Sequence, residues 1–282
     1  MKPSTSAKLD KKFPARLHVL LARDAKIGLV IRRGPSKSVC TVIWNRKQNT
    51  FKLGQWMRGR IYERRCDLSP DGKRFIYFAM NGRWESETKG AWTAIANVPY
   101  LKATSLFRKG NCWHGGGLFL TNKEFWLNDG RGHVELKLAR DLRRNVDHSP
   151  MGNYGGECPM VYYNRLQRDG WVMIKCEYEG AAQFEKKLPK SWRLRKLAFA
   201  ESTIGGPPGH GCYWDSHELR HESTNTVLAF PKWEWADYID GRLVFAVDGQ
   251  LRMAGFGRGK LVNEKLLHDF NDMKFKAIAA PY

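Results

Sequence analysis

Asp67-Leu68-Ser69-Pro70-Asp71-Gly72-Lys73-Arg74-Phe75-Ile76-Tyr77-Phe78-Ala79 is the stretch that decides the fold class. Asp-Gly supplies the positive φ angles of a tight turn, and the aromatic, β-branched run behind it has the composition of a strand. The pairing recurs. Asp169-Gly170 precedes Trp171-Val172-Met173-Ile174, and Asp240-Gly241 precedes Arg242-Leu243-Val244-Phe245-Ala246. Two further runs keep the phase: Ile27 to Ile31 after Asp24, and Phe125-Trp126-Leu127 after Thr121-Asn122. Starts near 24, 71, 122 and 169 are 47, 51 and 47 residues apart. Shorter strand-like pieces lie between them: 39–44, 92–96, 184–188 and 192–199. A helical stripe is suggested only over 136–145.

Four strands per unit of about 47 residues predict an all-β chain. The expected architecture is a single β-propeller of five four-stranded blades, or six compact ones, over 14–282, with a basic tail at 1–13. Cys66, Cys112 and Cys158 are each 46 residues apart, which matches a buried small residue recurring once per repeat. Propellers often close by pairing strands from both termini. The 17–21 strand is therefore expected beside a C-terminal one, and loss of 277–282 is expected to leave a poorly soluble product.

Composition excludes several classes. Eleven Trp and 14 Phe are too many for a disordered chain. No run approaches eighteen apolar residues, so no membrane span is expected. The first twelve residues lack the apolar segment of a secretory signal, and the six Cys form no CxxC pair. Both point to buried free thiols and a cytoplasmic protein.

Lys and Arg number 48 against 28 Asp and Glu, a net charge of +20. The first 75 residues hold 19 of those cations and 5 of the acids. A second basic cluster is Lys186, Lys187, Lys190, Arg193, Arg195 and Lys196, whereas 232–250 is acid-rich. Such clustering favours an anionic partner. In a ring the first and last repeats become neighbours, so part of the charge would serve closure.

The Ser69-Pro70-Asp71-Gly72 turn and its flanks resemble the blade signature of TolB-type and WD40-like propellers, in which this turn joins the first two strands of a blade. More broadly, segments 76–93, 115–128 and 267–282 resemble an uncharacterised bacterial family of β-propeller-like proteins. The resemblance implies a fold and brings no activity with it.

Three constellations bear on function. His217-Glu218-Leu219-Arg220-His221 is a literal HExxH. On a helix its two His share a face for Zn²⁺, with the Glu activating bound water. On a strand they stand about 13 Å apart and cannot share one metal. A looser site would gather His114, His210, Cys212, Asp215, His217 and His221 at a channel mouth, where Zn²⁺ is the acceptable metal. Cys112-Trp113-His114-Gly115-Gly116-Gly117 has the form of an esterase oxyanion loop, yet the chain lacks the Gly-x-Ser-x-Gly elbow that chemistry needs. The glycines read better as a tight entry into a strand. Finally, Trp56, Arg58, Arg60, Tyr62 and Arg64 alternate along one face of an extended segment, a pattern that stacks on bases and pairs phosphates.

The function expected is therefore a non-enzymatic interaction platform without a cofactor, its partner a protein. The alternatives are nucleic-acid or polyanion binding through the basic first quarter, and a metal-dependent hydrolase.

Overall fold

A computed structural model describes residues 13–34, 37–130, 132–152, 154, 158–176, 181–199, 213–257 and 259–282. It is mostly β, arranged in five sheets among the described residues.

Sheet I is a meander of β1 (Arg16–Leu21), β2 (Ile27–Arg33), β3 (Ser38–Asn45) and β4 (Thr50–Arg58). The chain then passes through β5 (Arg60–Ile61), a 3-10 turn at Glu63–Arg65 and β6 (Asp67–Leu68). Sheet II combines these two short strands with β7 (Arg74–Met80), β8 (Ala91–Asn97) and β9 (Ala103–Arg108). Sheet III holds β10 (Gly117–Phe119) and β11 (Glu124–Leu127). β12 (Val134–Lys137) returns to pair with β9, and β13 (Arg143–Arg144) runs parallel to β11. After the helix α1 (Pro159–Arg168), sheet IV is a meander of β14 (Val172–Lys175), β15 (Ala182–Lys187), β16 (Trp192–Phe199), β17 (Trp214–His221) and β18 (Thr226–Phe230). Sheet V is a second four-stranded meander, β19 (Trp235–Ile239), β20 (Arg242–Val247), β21 (Gln250–Phe256) and β22 (Leu261–Asp269).

The Asp-Gly reading holds at the hairpins. Asp240 and Gly241 adopt φ of 50° and 80° between β19 and β20, and Asp248-Gly249 does the same before β21. Asp71-Gly72 lies in the loop joining β6 to β7.

Each sheet shares a core with a neighbour. Phe107 and Ile95 of sheet II pack with Phe119 and Phe125 of sheet III. Ile31 and Val39 of sheet I pack with Phe75 and Tyr77 of sheet II. Val30 and Trp44 of sheet I meet Val244 and Leu251 of sheet V. Phe245 of sheet V joins Trp192 and Leu219 of sheet IV, together with Tyr162 of α1. Arg165 and Arg168 of α1 in turn reach carbonyls at Glu63, Cys66 and Phe119. The circuit of neighbours therefore returns on itself, and burying both faces of a sheet explains near-continuous apolar strands such as β2 and β20.

Four expectations need correction. Four-strand regularity holds only in sheets I and V. Sheet II has six strands, III three and IV five, because the 3-10 turn splits one strand and β12 crosses back from beyond sheet III. The helix is at 159–168, whereas 136–145 holds the end of β12, a turn and β13. The equally spaced Cys are not equivalent: Cys66 is buried after a 3-10 turn, Cys112 is exposed in a loop, and Cys158 caps α1. Cys176 is also exposed, so buried thiols are confined to Cys40 and Cys66 among the described residues.

Sheets I and V meet, but not through paired strands: among the described residues β1 pairs only with β2, and β22 only with β21. Side chains take the free N–H groups at the edge of β1 instead. Leu17 N–H donates to Glu234 Oε2 at 2.8 Å and Ala15 N–H to Asn271 Oδ1 at 2.9 Å. Capped this way, the edge presents fewer open donors to another chain. Beyond β22 the tail crosses sheet I towards sheet II. Arg32 donates to the Phe270 and Asn271 carbonyls, Gln55 to that of Ile278, and the Tyr282 hydroxyl to that of Lys102. Opposite charges meet at this junction: Arg16 pairs with Glu234, and Lys26 and Arg46 pair with Asp240.

Candidate functional site: a central charged cavity

The HExxH segment is strand β17, not a helix. Alternation turns His217, Leu219 and His221 inward. His217 is 1% exposed, and both ring nitrogens are engaged. Nδ1 lies 2.8 Å from the Trp233 carbonyl and Nε2 lies 2.8 Å from Lys196 Nζ. A ring that donates to a carbonyl and accepts from an ammonium is neutral, with no lone pair left for a metal. Burial, reinforced by Lys196, lowers its pKa to about 3. His221 bonds Thr224 Oγ1 through Nδ1 at 2.7 Å. His114 sits in the glycine loop at φ 58°, its carbonyl accepting from Arg65. His210 and Cys212 lie outside the described residues. Among the described residues no cluster of three or more His, Cys, Asp or Glu is placed to hold a metal.

The aromatic–basic stripe is not one face. β4 ends at Arg58, and the chain turns at Gly59 before β5. Trp56 packs on Phe275 of the tail, Arg58 also lies over Phe275, and Arg60 stacks on Tyr62 at 4.4 Å. Arg64 turns inside and pairs with Asp215 at 2.6 Å, both side chains 3% exposed. The second basic cluster is likewise dispersed. Arg193 and Arg195 pair with Glu185, Lys186 pairs with Asp237, and Lys196 is buried.

Two polar networks emerge that sequence patterns do not mark. The first joins Thr93, His133 and Asp129. Thr93 Oγ1 is 3.0 Å from His133 Nε2, and His133 Nδ1 is 3.0 Å from Asp129 Oδ1. That is the connectivity of a nucleophile, a base and an orienting acid. Thr93, however, has no exposed surface, and its oxygen already accepts the Gly116 N–H at 2.8 Å. The glycine loop thus delivers its amide to the hydroxyl, and no substrate carbonyl can reach either.

The second network surrounds a cavity of about 550 Å³ between β1, α1, β15, β16 and β19. Arg23, Lys26, Arg46, Arg165, Arg168, Lys186 and Lys196 line it against Asp67, Asp169, Asp237 and Asp240. Most of these cations are matched. Arg168 grips Asp67 with two bonds of 2.7 and 2.9 Å, and also contacts Asp169. Lys186 meets Asp237 at 2.6 Å. Arg165 differs: its NH1 donates to the Glu63 and Cys66 carbonyls, and its NH2 lies 2.9 Å from His18 Nε2. All three acceptors are neutral, and among the described residues no carboxylate pairs with it. Burial first, then Arg165, lowers the His18 pKa to about 3, so the ring stays neutral and accepts. Lys196, 1% exposed, bonds His217 and lies 3.6 Å from Asp215. Asp215 is already held by Arg64 and by the Tyr162 hydroxyl at 2.5 Å. Burial alone would raise the Asp215 pKa, but Arg64 and Lys196 outweigh it and hold it low.

No protein-family model matches the chain, and no curated protein matches it. Similar solved structures include the following three. Hydrazine synthase of Kuenenia stuttgartiensis is 9% identical, with a TM-score of 0.30 over 90% of this chain and 80% of that one. The β-propeller domain of the trilobed protease from Pyrococcus furiosus is 12% identical, with a TM-score of 0.29 over 92% of this chain and 100% of that one. The tricorn protease is 11% identical, with a TM-score of 0.26 over 92% of this chain and 31% of that one.

Proposed function

We propose that the five sheets are blades of one propeller ring and that the protein is a non-enzymatic platform for an anionic macromolecule. The observation that carries this reading is how much of the positive charge stays outside. Glu63, Asp67, Asp215 and Asp237 are buried, and each is held by Arg or Lys from another element. Glu234 and Asp240 are engaged at the junction of sheets I and V. Seven cations are buried beside these four carboxylates among the described residues, so the outer surface keeps most of the net charge of +20. Lys47, Lys52, Lys73, Lys89, Lys123 and Lys187 are among its exposed cations. Such a field attracts polyanions and accelerates their encounter.

Titration of binding to generic DNA and RNA against salt tests the reading. Affinity should fall linearly in log–log form as released counterions re-compete. Binding to neither nucleic acid nor polyglutamate at low salt would refute an anionic partner. Binding to polyglutamate alone would assign the platform to an acidic protein.

A further inference from the structure

We infer that the cavity between β1, α1 and β19 binds a small phosphorylated molecule, with the phosphoryl group against Arg165, Lys196 and His18. Seven cations line the cavity against four carboxylates, and nearby Asp215 is already held by Arg64 at 2.6 Å. The lining thus carries a formal excess of three positive charges. Hydrogen bonds to carbonyls and to a neutral imidazole satisfy the Arg165 donors without neutralising its charge, and an uncompensated buried cation is costly. A phosphate monoester carries roughly −1.5 to −2 at neutral pH and offsets much of that excess. A carboxylate would offset about half as much.

Donors are also in place. With His18 Nε2 accepting from Arg165, its proton is on Nδ1, and that N–H has no acceptor among the described residues. Arg165 bonds His18 at 2.9 Å, and both line the same cavity as Lys196. Lys196 and Lys186 each stand 5.0 Å from the Trp171 ring, so the ammonium groups flank an aromatic wall. The volume of about 550 Å³ far exceeds a bare phosphate and falls in the roughly 300–1,000 Å³ range of small-molecule pockets. Leu166, Trp171 and Trp235 line the remainder, which suits an apolar or aromatic body.

Calorimetric titration of the full chain with inorganic phosphate, phenyl phosphate and acetate at constant ionic strength tests the site. One saturable site per chain is expected, with phenyl phosphate tighter than phosphate and acetate at least tenfold weaker. Lys196→Met should weaken phosphate at least tenfold, while Lys73→Gln on the surface should change nothing. Absence of saturable binding, acetate binding equal to phosphate, or phosphate binding indifferent to Lys196→Met would overturn the assignment. Should Lys196→Met not fold, thermal unfolding of the parent protein decides. Phosphate must raise the midpoint beyond sodium chloride of equal ionic strength, and an equal rise overturns the site. This inference is independent of the platform reading, since Lys196→Met is expected to leave nucleic-acid binding unaltered.

Discussion

The Thr93–His133–Asp129 chain and the Arg165–His18–Lys196 cluster are both buried, both centred on a histidine, and opposite in character. In the first every group has a partner and there is no room: Gly116 supplies the amide, Arg144 holds the far oxygen of Asp129 at 2.7 Å, and Thr93 is sealed. In the second, charge exceeds its complement and a cavity lies alongside. Relay geometry is thus not what marks a site. Unused capacity together with access is, because a ligand gains only where the protein has left something unsatisfied.

The contrast can be broken at its strongest point with Asp215→Ala. Removing the carboxylate that Arg64 and Lys196 share leaves Arg64 buried without its ion-pair partner, a loss of about 3–5 kcal/mol. Urea unfolding would show it as a lowered midpoint at unchanged slope. A loss below about 1 kcal/mol would mean that the cluster is not held by charge.

Acid probes the same cluster less severely. His18 and His217 have folded pKa values lowered to about 3 by burial first, then by neighbouring cations. The unfolded chain therefore binds more protons than the folded one between pH 6.5 and about 3. Stability rises with pH across that window and falls on acidification. Each histidine costs about 2 kcal/mol by pH 5. Thermal unfolding from pH 7.5 to 4.5 should show the decline, and His217→Gln should remove roughly half of it. A flat profile would place charged histidines in the folded state.

Thr93→Val tests the sealed chain and should have the smallest effect. It leaves the Gly116 N–H buried without an acceptor, at a cost of about 1–3 kcal/mol. Phosphate affinity should stay within twofold of the parent. A change in ligand binding would show that the two networks are coupled.

Much of the architecture could be read from residues. Asp240-Gly241 and Asp248-Gly249 form tight hairpins because only small or Asx residues tolerate both positive φ angles. Arg74–Met80 and Arg242–Val247 are strands, as their composition indicates. The helix escaped because Pro-Met-Val-Tyr-Tyr is rich in strand formers, and Asp169-Gly170 resembles a hairpin turn while serving as a helix stop. Pro159 at the first helical position and the 162/166 spacing were the signals available. The cavity groups escaped for a different reason. Lys196 stands in a run that reads as a basic surface cluster, yet Trp192, Leu194, Lys196 and Ala198 share the buried face of β16. Strict two-residue alternation places that lysine inside. Nothing local in 159–168 announces that Arg165 hydrogen-bonds neutral groups, since those acceptors lie about 100 to 150 positions away.

The side-chain seam between β1 and sheet V has a consequence for biosynthesis. Ala15 waits 256 residues for Asn271, and Leu17 waits 217 for Glu234. During vectorial synthesis the first sheet emerges with its edge amides open and Arg16, Lys26 and Arg46 without their acidic partners. Such non-local closure is slow and exposes edges on the way. The clustered positive charge of the first quarter is left without these acidic partners over the same interval, until residues 234 and 240 have been made.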